Sequence, residues 1–234
     1  MNNNDFDVYV IDLETTGLEG YPKDHIVEIG IAVANIMDKT VKPIYNAIIN
    51  VPNIREIDKK ENCWVFSHTD LTVDMVENST NDFDTVVEKV REIVKGKRIT
   101  AYYQPFDFDK FLFHSPWQLN EIAVQVADIK DLAKDYLTYY YKTKEMEDFK
   151  GLVTKSLIKH CIDNNTLHAE QAYMIYCPKD PAKLKFKQTH RAMDDAVMEG
   201  HILIKAVLGE MDRALTPVIE STYQSIIQGE LCHE

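Results

Sequence analysis

Asp12 and Glu14 flank Leu13 at the end of DVYVIDLETT (Asp7 to Thr16), a run rich in β-branched residues. In an extended strand residues i and i+2 project from one face, so these carboxylates stand about 6–7 Å apart. Two like charges at the end of an apolar strand repel unless a cation neutralises them. Oxygen ligands without a Cys or His cluster favour Mg²⁺, with Mn²⁺ as a substitute, over Zn²⁺. The plain alternative is a pair of solvated acids at a strand end. A second feature is His190-Arg191-Ala192-Met193-Asp194-Asp195, which leads into an apolar stripe. Five residues at about 100° each would set His190 and Asp195 roughly 140° apart on one continuous helix. They converge only if His190 precedes the helix on a loop while Asp195 lies in its first turns. A His so placed suits a general base, whose pKa should lie near neutrality; a capping segment with a surface His is the rival reading. The third feature is Phe106-Asp107-Phe108-Asp109 just after a strand, with one Asp a candidate ligand and the other a candidate helix cap.

The elements that must carry these residues follow from periodicity. Asp7 to Thr16, His25 to Ile36 and Pro43 to Val51 read as three strands of an antiparallel meander. Val86, Val87, Val90, Ile93 and Val94 fall on one face of a helix over 83–95, with Gly96 at the left-handed cap. Arg98 to Tyr103 reads as a fourth strand, the stretch after Phe106 as helix until Pro116, and Val124 to Ile129 as a fifth strand. Leu152 to Ile162 is a helix candidate, and Ala196 to Leu208 forms the stripe of a long final helix. Strands and helices in this order predict one α/β domain with a mixed sheet.

Composition narrows the partners. The chain has 234 residues, 45% hydrophobic and 27% charged, which excludes collagen, coiled coil and wholesale disorder. A net charge of −12 repels polyphosphate at long range, so a general duplex-coating role is excluded. Any work on nucleic acid needs a local basic strip or cations held by the acids. Lys179, Lys183, Lys185, Lys187 and Arg191, with Phe186 among them, form such a strip beside His190. Phosphate contacts combined with aromatic stacking are how single strands are held; a solvated basic loop is the rival. Tyr139-Tyr140-Tyr141 reads as part of a packed helix, and Asp128 as a cap for the helix after it. No apolar run reaches the roughly 18 residues of a membrane span. The polar start MNNNDFD and four scattered cysteines without a CxxC pair predict a cytoplasmic protein with reduced thiols.

Taken in order, Asp12-Leu13-Glu14-Thr15-Thr16-Gly17, Phe106-Asp107 and His190 with Asp195 resemble the DEDDh family of 3′-to-5′ exonucleases. That family includes DnaQ-type proofreading subunits, RNase T and oligoribonuclease. His25-Ile26-Val27-Glu28-Ile29-Gly30 is similar to its second strand, and Ser67-His68-Thr69-Asp70-Leu71-Thr72 to its histidine-containing loop. Asp128-Ile129 with Leu132-Ala133 is similar to its fifth strand and the helix that follows. Counting back to the preceding strand favours Asp107 over Asp109 as the ligand. The resemblance implies an α/β ribonuclease H-like fold, a mixed five-stranded sheet flanked by helices. The domain would span residues 1–234, with a family-variable segment at about 136–188 and a helical tail from about 210.

It also implies that Asp12, Glu14, Asp107 and Asp195 hold two Mg²⁺ astride the terminal phosphodiester, while His190 takes a proton from the attacking water. Thr15, Thr16, His68, Phe106, Lys185, Lys187 and Arg191 are the implied substrate contacts. The implied partners are 3′ ends of single-stranded DNA or RNA, and a polymerase or other replication or repair protein. Tyr102-Tyr103 stands where the family usually has His-Asn. That departure keeps open a catalytically weak subunit acting through partner binding. An RNase H-like endonuclease is the other alternative, and the His-x-x-x-x-Asp element argues against it.

Overall fold

The computed structural model describes residues 3–143, 155–177 and 190–209. Strands β1 (Asp7–Thr15), β2 (Ile26–Asn35) and β3 (Thr40–Ile48) form the expected meander. Three short helices follow, α1 (Ile54–Glu61), α2 (Trp64–His68) and α3 (Val73–Glu77), and then α4 (Phe83–Val94). Strand β4 (Arg98–Thr100), a π-helical turn over Pro105–Leu112 and β5 (Val124–Gln125) come next. Helices α5 (Ile129–Thr143), α6 (Lys155–Asn164), α7 (Ala169–Tyr176) and α8 (Ala192–Leu208) complete the described chain. The sheet order is β3-β2-β1-β4-β5, with β4 parallel to both β1 and β5.

The imperfect alternation of β1 has a simple cause: helices cover both of its faces. Val8 and Val10 pack with Ala32 and Ala34 of β2 against residues of α5, α7 and α8. Ile11 and Leu13 pack with Ile29 and Ile31 against the valines of α4. Along the first face the series Val8, Val10 continues into Asp12 and Glu14, so the acids occupy positions that would otherwise be core. Helix α8 lies over β1, β2 and β3 on that face. It has no proline, carries Asp194 and Asp195 in its first turn where the helix dipole favours negative charge, and ends at left-handed Gly209.

Gly30, directly opposite Asp12 in the β1–β2 ladder, sets how closely α8 approaches. A Cβ at Gly30 would sit 2.3 Å from the backbone carbon and oxygen of Ala192 and 2.5 Å from the nitrogen of Met193. The first turn of α8 therefore rests on bare backbone.

Several elements differ from the periodicity reading, for local reasons. The fourth strand stops at Thr100, not Tyr103, because side chains take over its polar groups. Gln104 Nε2 donates to Thr100 Oγ1 (2.9 Å) and to the Val126 carbonyl (2.7 Å), and the Gln104 N–H donates to Asp128 Oδ2 (2.7 Å). The fifth strand shortens to Val124–Gln125 because Asp128 Oδ1 accepts the N–H of Lys130 (2.8 Å) and so opens α5. The stretch after Phe106 is wound with i→i+5 bonding, as in Phe113 N–H to the Phe108 carbonyl at 2.9 Å, and ends at Leu112, before Pro116. The expected histidine-containing loop is partly helical, as α2 and α3, with Thr72 Oγ1 capping α3 by accepting the Met75 N–H. Ile158, Cys161, Leu167, Tyr173 and Tyr176, from the segment without matching motifs, are buried in the same core as α5 and α8. Tyr139 and Tyr141 pack on that core, as a packed helix requires. Among the described residues no helix is long and apolar enough to cross a membrane.

Replacing Gly30 by Ala is expected to destabilise the fold by about 1–3 kcal/mol, the usual cost of overpacking. Denaturant unfolding of the variant beside the parent chain checks this.

Candidate active site

The two carboxylates of β1 meet those of two other elements at the carboxyl end of the strand. Asp195, in the first turn of α8, reaches Glu14, and so does His190. Ligand atoms of Glu14, His190 and Asp195 all lie within 4.8 Å of one another. Asp107 comes from the π-helical turn; it is buried at 6% exposure, and the Leu13 backbone N–H donates to its carboxylate. That bond anchors the third acid to the residue between the first two. Asp109 is exposed, so Asp107 is the acid delivered to the cluster.

Five carboxylates converge, one more than the sequence reading assembled. Glu199, four residues after Asp195, is 4% exposed, and its charge acts on Asp12 more strongly than that of any other acid. No helical-spacing argument flagged it, because a Glu on an amphipathic helix is ordinarily solvated. The available signal was its position among Val197, Met198 and Ile202, on a helix apolar nearly all round.

Electrostatics follow from this crowding. Burial, and then the neighbouring charges of Glu199, Asp195, Asp107 and Glu14, hold the Asp12 carboxyl well above the usual range. Burial and then Asp195, Glu28 and Asp107 push Glu14 up to about 9, with Arg191 pulling the other way. Burial also raises Asp107 and Glu199, and it lifts Asp128 to about 6. Asp12 Oδ2 and Glu199 Oε2 have neither solvent nor a hydrogen-bond partner. Buried acceptors are normally satisfied, so two orphaned oxygens in one acidic cluster mark a place for a cation. The donors are hard oxygens with one imidazole nearby, which fits Mg²⁺ or Mn²⁺.

His190 precedes α8, as convergence demanded, and its backbone is left-handed at φ 47°. That conformation is uncommon for a non-glycine residue and costs of order 1 kcal/mol. Its neighbours hold it there. Trp64 meets the imidazole edge-on, with centroids 5.3 Å apart at 85°. On the other side, Arg191 forks onto buried Glu28, Nε to Oε2 at 2.8 Å and Nη2 to Oε1 at 2.7 Å, and the Ala192 N–H adds a third bond to Glu28 at 3.3 Å.

The remaining expected contacts are distributed as follows. Arg191 is committed to Glu28, so it clamps the start of α8 to β2 rather than offering its full fork to phosphate. Thr15 Oγ1 donates to the Gly17 carbonyl (2.8 Å), and Thr16 Oγ1 accepts from His25 N–H (2.9 Å); both hydroxyls shape the β1–β2 connection. His68 is exposed and stacks on Trp64 at 4.6 Å, nearly parallel. Phe106 packs against Phe111, with Lys110 Nζ 5.5 Å above its ring. Tyr102 is buried, its hydroxyl donating to the Leu167 carbonyl, while Tyr103 is half exposed under Lys130. Lys185 and Lys187, with the rest of the basic strip before them, lie outside the described residues, as does the tail from residue 210.

A family model described as an exonuclease, of the RNase T type, matches residues 9–203. Comparison with curated proteins returns no match. Among solved structures, a full-length 3′-exonuclease is 18% identical, with a TM-score of 0.51, over 88% of this chain and 61% of that one. This chain thus spans less than two thirds of that neighbour. A 3′-exonuclease described in 3′-end specific recognition of a histone mRNA stem-loop is 17% identical, with a TM-score of 0.53, over 87% of this chain and 82% of that one. The nuclease domain of 3′hExo, a DEDDh family member bound to rAMP, is 16% identical, with a TM-score of 0.51, over 87% of this chain and 92% of that one. At these identities the structural likeness establishes the fold, a ribonuclease H-like sheet flanked by helices.

The crowded acids predict a pH signature. Glu14 titrates near 4.5 when unfolded and near 9 when folded. Its protonated form favours the folded state, fully below about pH 4.5, and that contribution is lost as the pH rises towards 9. In EDTA the melting temperature should therefore fall between about pH 5 and 9. Added Mg²⁺ should restore it, and by more at the alkaline end. Thermal melts across that range, with EDTA and with Mg²⁺, measure both effects.

Proposed function

The chain belongs to the RNase T exonuclease family, and on that premise we propose that it removes nucleotides from the 3′ ends of single-stranded DNA or RNA, releasing nucleoside 5′-monophosphates. The observation that carries this reading is the meeting of Asp12, Glu14, Asp107 and Asp195 with His190 at the carboxyl end of β1. Residues 1–234 are read as one exonuclease domain, with the segment at about 136–188 its family-variable part.

Asp12, Glu14, Asp107 and Asp195 would hold two divalent cations, which when bound supply charge stabilisation to the phosphodiester and acidify water. The chain's own groups do the rest. The Glu28–Arg191 clamp fixes the segment before α8, and Trp64 fixes the ring, so that the His190 imidazole can accept a proton from the attacking water. The Leu13 N–H keeps Asp107 turned towards the strand end. Leu18, 74% exposed just beyond Glu14-Thr15-Thr16 in the chain, and Trp64, 52% exposed against His190, are two exposed apolar side chains. They would bracket the terminal nucleotide between them, since base stacking on an apolar or aromatic face is indifferent to sequence. The basic strip of 179–187 would then meet the upstream phosphates and offset the long-range repulsion of a −12 chain.

Incubating 5′-labelled single-stranded DNA and RNA with Mg²⁺ tests the proposal. A ladder shortening from the 3′ end is expected, with none for Asp12→Ala or in EDTA. Internal cuts, or no reaction, would refute it. His190→Asn should fold and still gain stability from Mg²⁺, because Asn tolerates the left-handed backbone. Its cleavage rate should fall by about 10²–10⁴-fold, as for loss of a general base.

A further inference from the structure

We infer that Glu199 is a working member of the cation site, adding its charge and its Oε2 oxygen to the cation held by Asp12; this rests on the metal-dependent reading above. Asp195 and Glu199 are four residues apart on α8, so they lie about 6 Å apart along the axis and about 40° apart around it. Both are buried, at 4% exposure each, on the face that α8 turns to the sheet.

Glu199 has the features of a ligand that lacks its cation. Its Oε2 is shut off from solvent and accepts no hydrogen bond, and Asp12 Oδ2 is in the same state. The Tyr102 backbone N–H donates to the Glu199 carboxylate, which orients it without neutralising it. Among the described residues Glu199 makes no ion pair with Lys or Arg, and the Arg191 guanidinium is spent on Glu28. An apolar residue in the same place would avoid this desolvation cost, as it does at Val10 on the facing strand. A hard divalent cation between Asp12 and Glu199 would satisfy both orphaned oxygens at once. Tyr102, which stands where the family usually has His, supplies the N–H that aims Glu199. Its side chain turns away to the Leu167 carbonyl at 3.0 Å, so only its backbone faces the site.

Calorimetric titration of the full chain with MnCl₂ alone, at pH 8, tests this directly. Glu199→Gln keeps the shape and removes the charge. Its Mn²⁺ affinity should fall about tenfold or more, the size seen when groups supporting metal ligands are lost. Its metal-free melting temperature should not fall, because one buried repulsion is relieved. Glu199→Asp keeps the charge but withdraws the oxygen, and should also bind more weakly; it serves if the Gln variant does not fold. If wild type and both variants bind Mn²⁺ equally, Glu199 is only a buried neutral acid and this inference falls while the nuclease reading stands. A wild-type chain that binds no Mn²⁺ overturns both.

Discussion

Mutual repulsion among buried carboxylates is the constraint around which this fold is arranged. Asp12, Glu14, Asp107, Asp195 and Glu199 are drawn to the carboxyl end of the central strand β1, four of them at 8% exposure or less. Removing charges from water is costly, and placing like charges together adds to the cost. Burial first, and then the neighbouring charges, raise the pKa values of these acids.

The rest of the molecule supplies the rigidity that keeps the acids from moving apart. Strands β1 and β2 are covered on both faces, so Asp12 and Glu14 sit on a strand held between layers. Gly30 lets the first turn of α8 lie directly on β2, and the Arg191–Glu28 fork, bidentate and largely buried, holds it there. The Asp107 carboxylate is tied to the Leu13 N–H. Each acid is therefore positioned by backbone or by a buried ion pair, and none depends on a flexible surface side chain. His190 is the exception in kind, with a left-handed backbone beside an exposed tryptophan.

Much of this was legible in the sequence. Two acids spaced i, i+2 at a strand end name one face, and a His five residues before an Asp meets it only from outside the helix; both geometric arguments match the structure. The choice of Asp107 over Asp109 also follows from counting along the chain. Glu199 was not legible, since helix periodicity alone does not distinguish a buried acid from a solvated one. The meeting of Trp64 with His190 was not legible either, because it joins residues far apart in sequence. Arg191 looked like a phosphate contact among other basic residues. Its partner Glu28 is set opposite Glu14 by strand register, which a single sequence specifies only once the β1–β2 turn is known. The short β4 and β5 depart from periodicity because Gln104 and Asp128 side chains replace ladder bonds.

The central claim is that protons and divalent cations compete for one buried acidic cluster. Titrating Mg²⁺ into the chain at neutral pH, in buffers of differing ionisation enthalpy, measures that competition as protons released on binding. The account predicts net release, diminished in Asp12→Asn. Binding without release would mean the acids are already ionised and well solvated, which contradicts it.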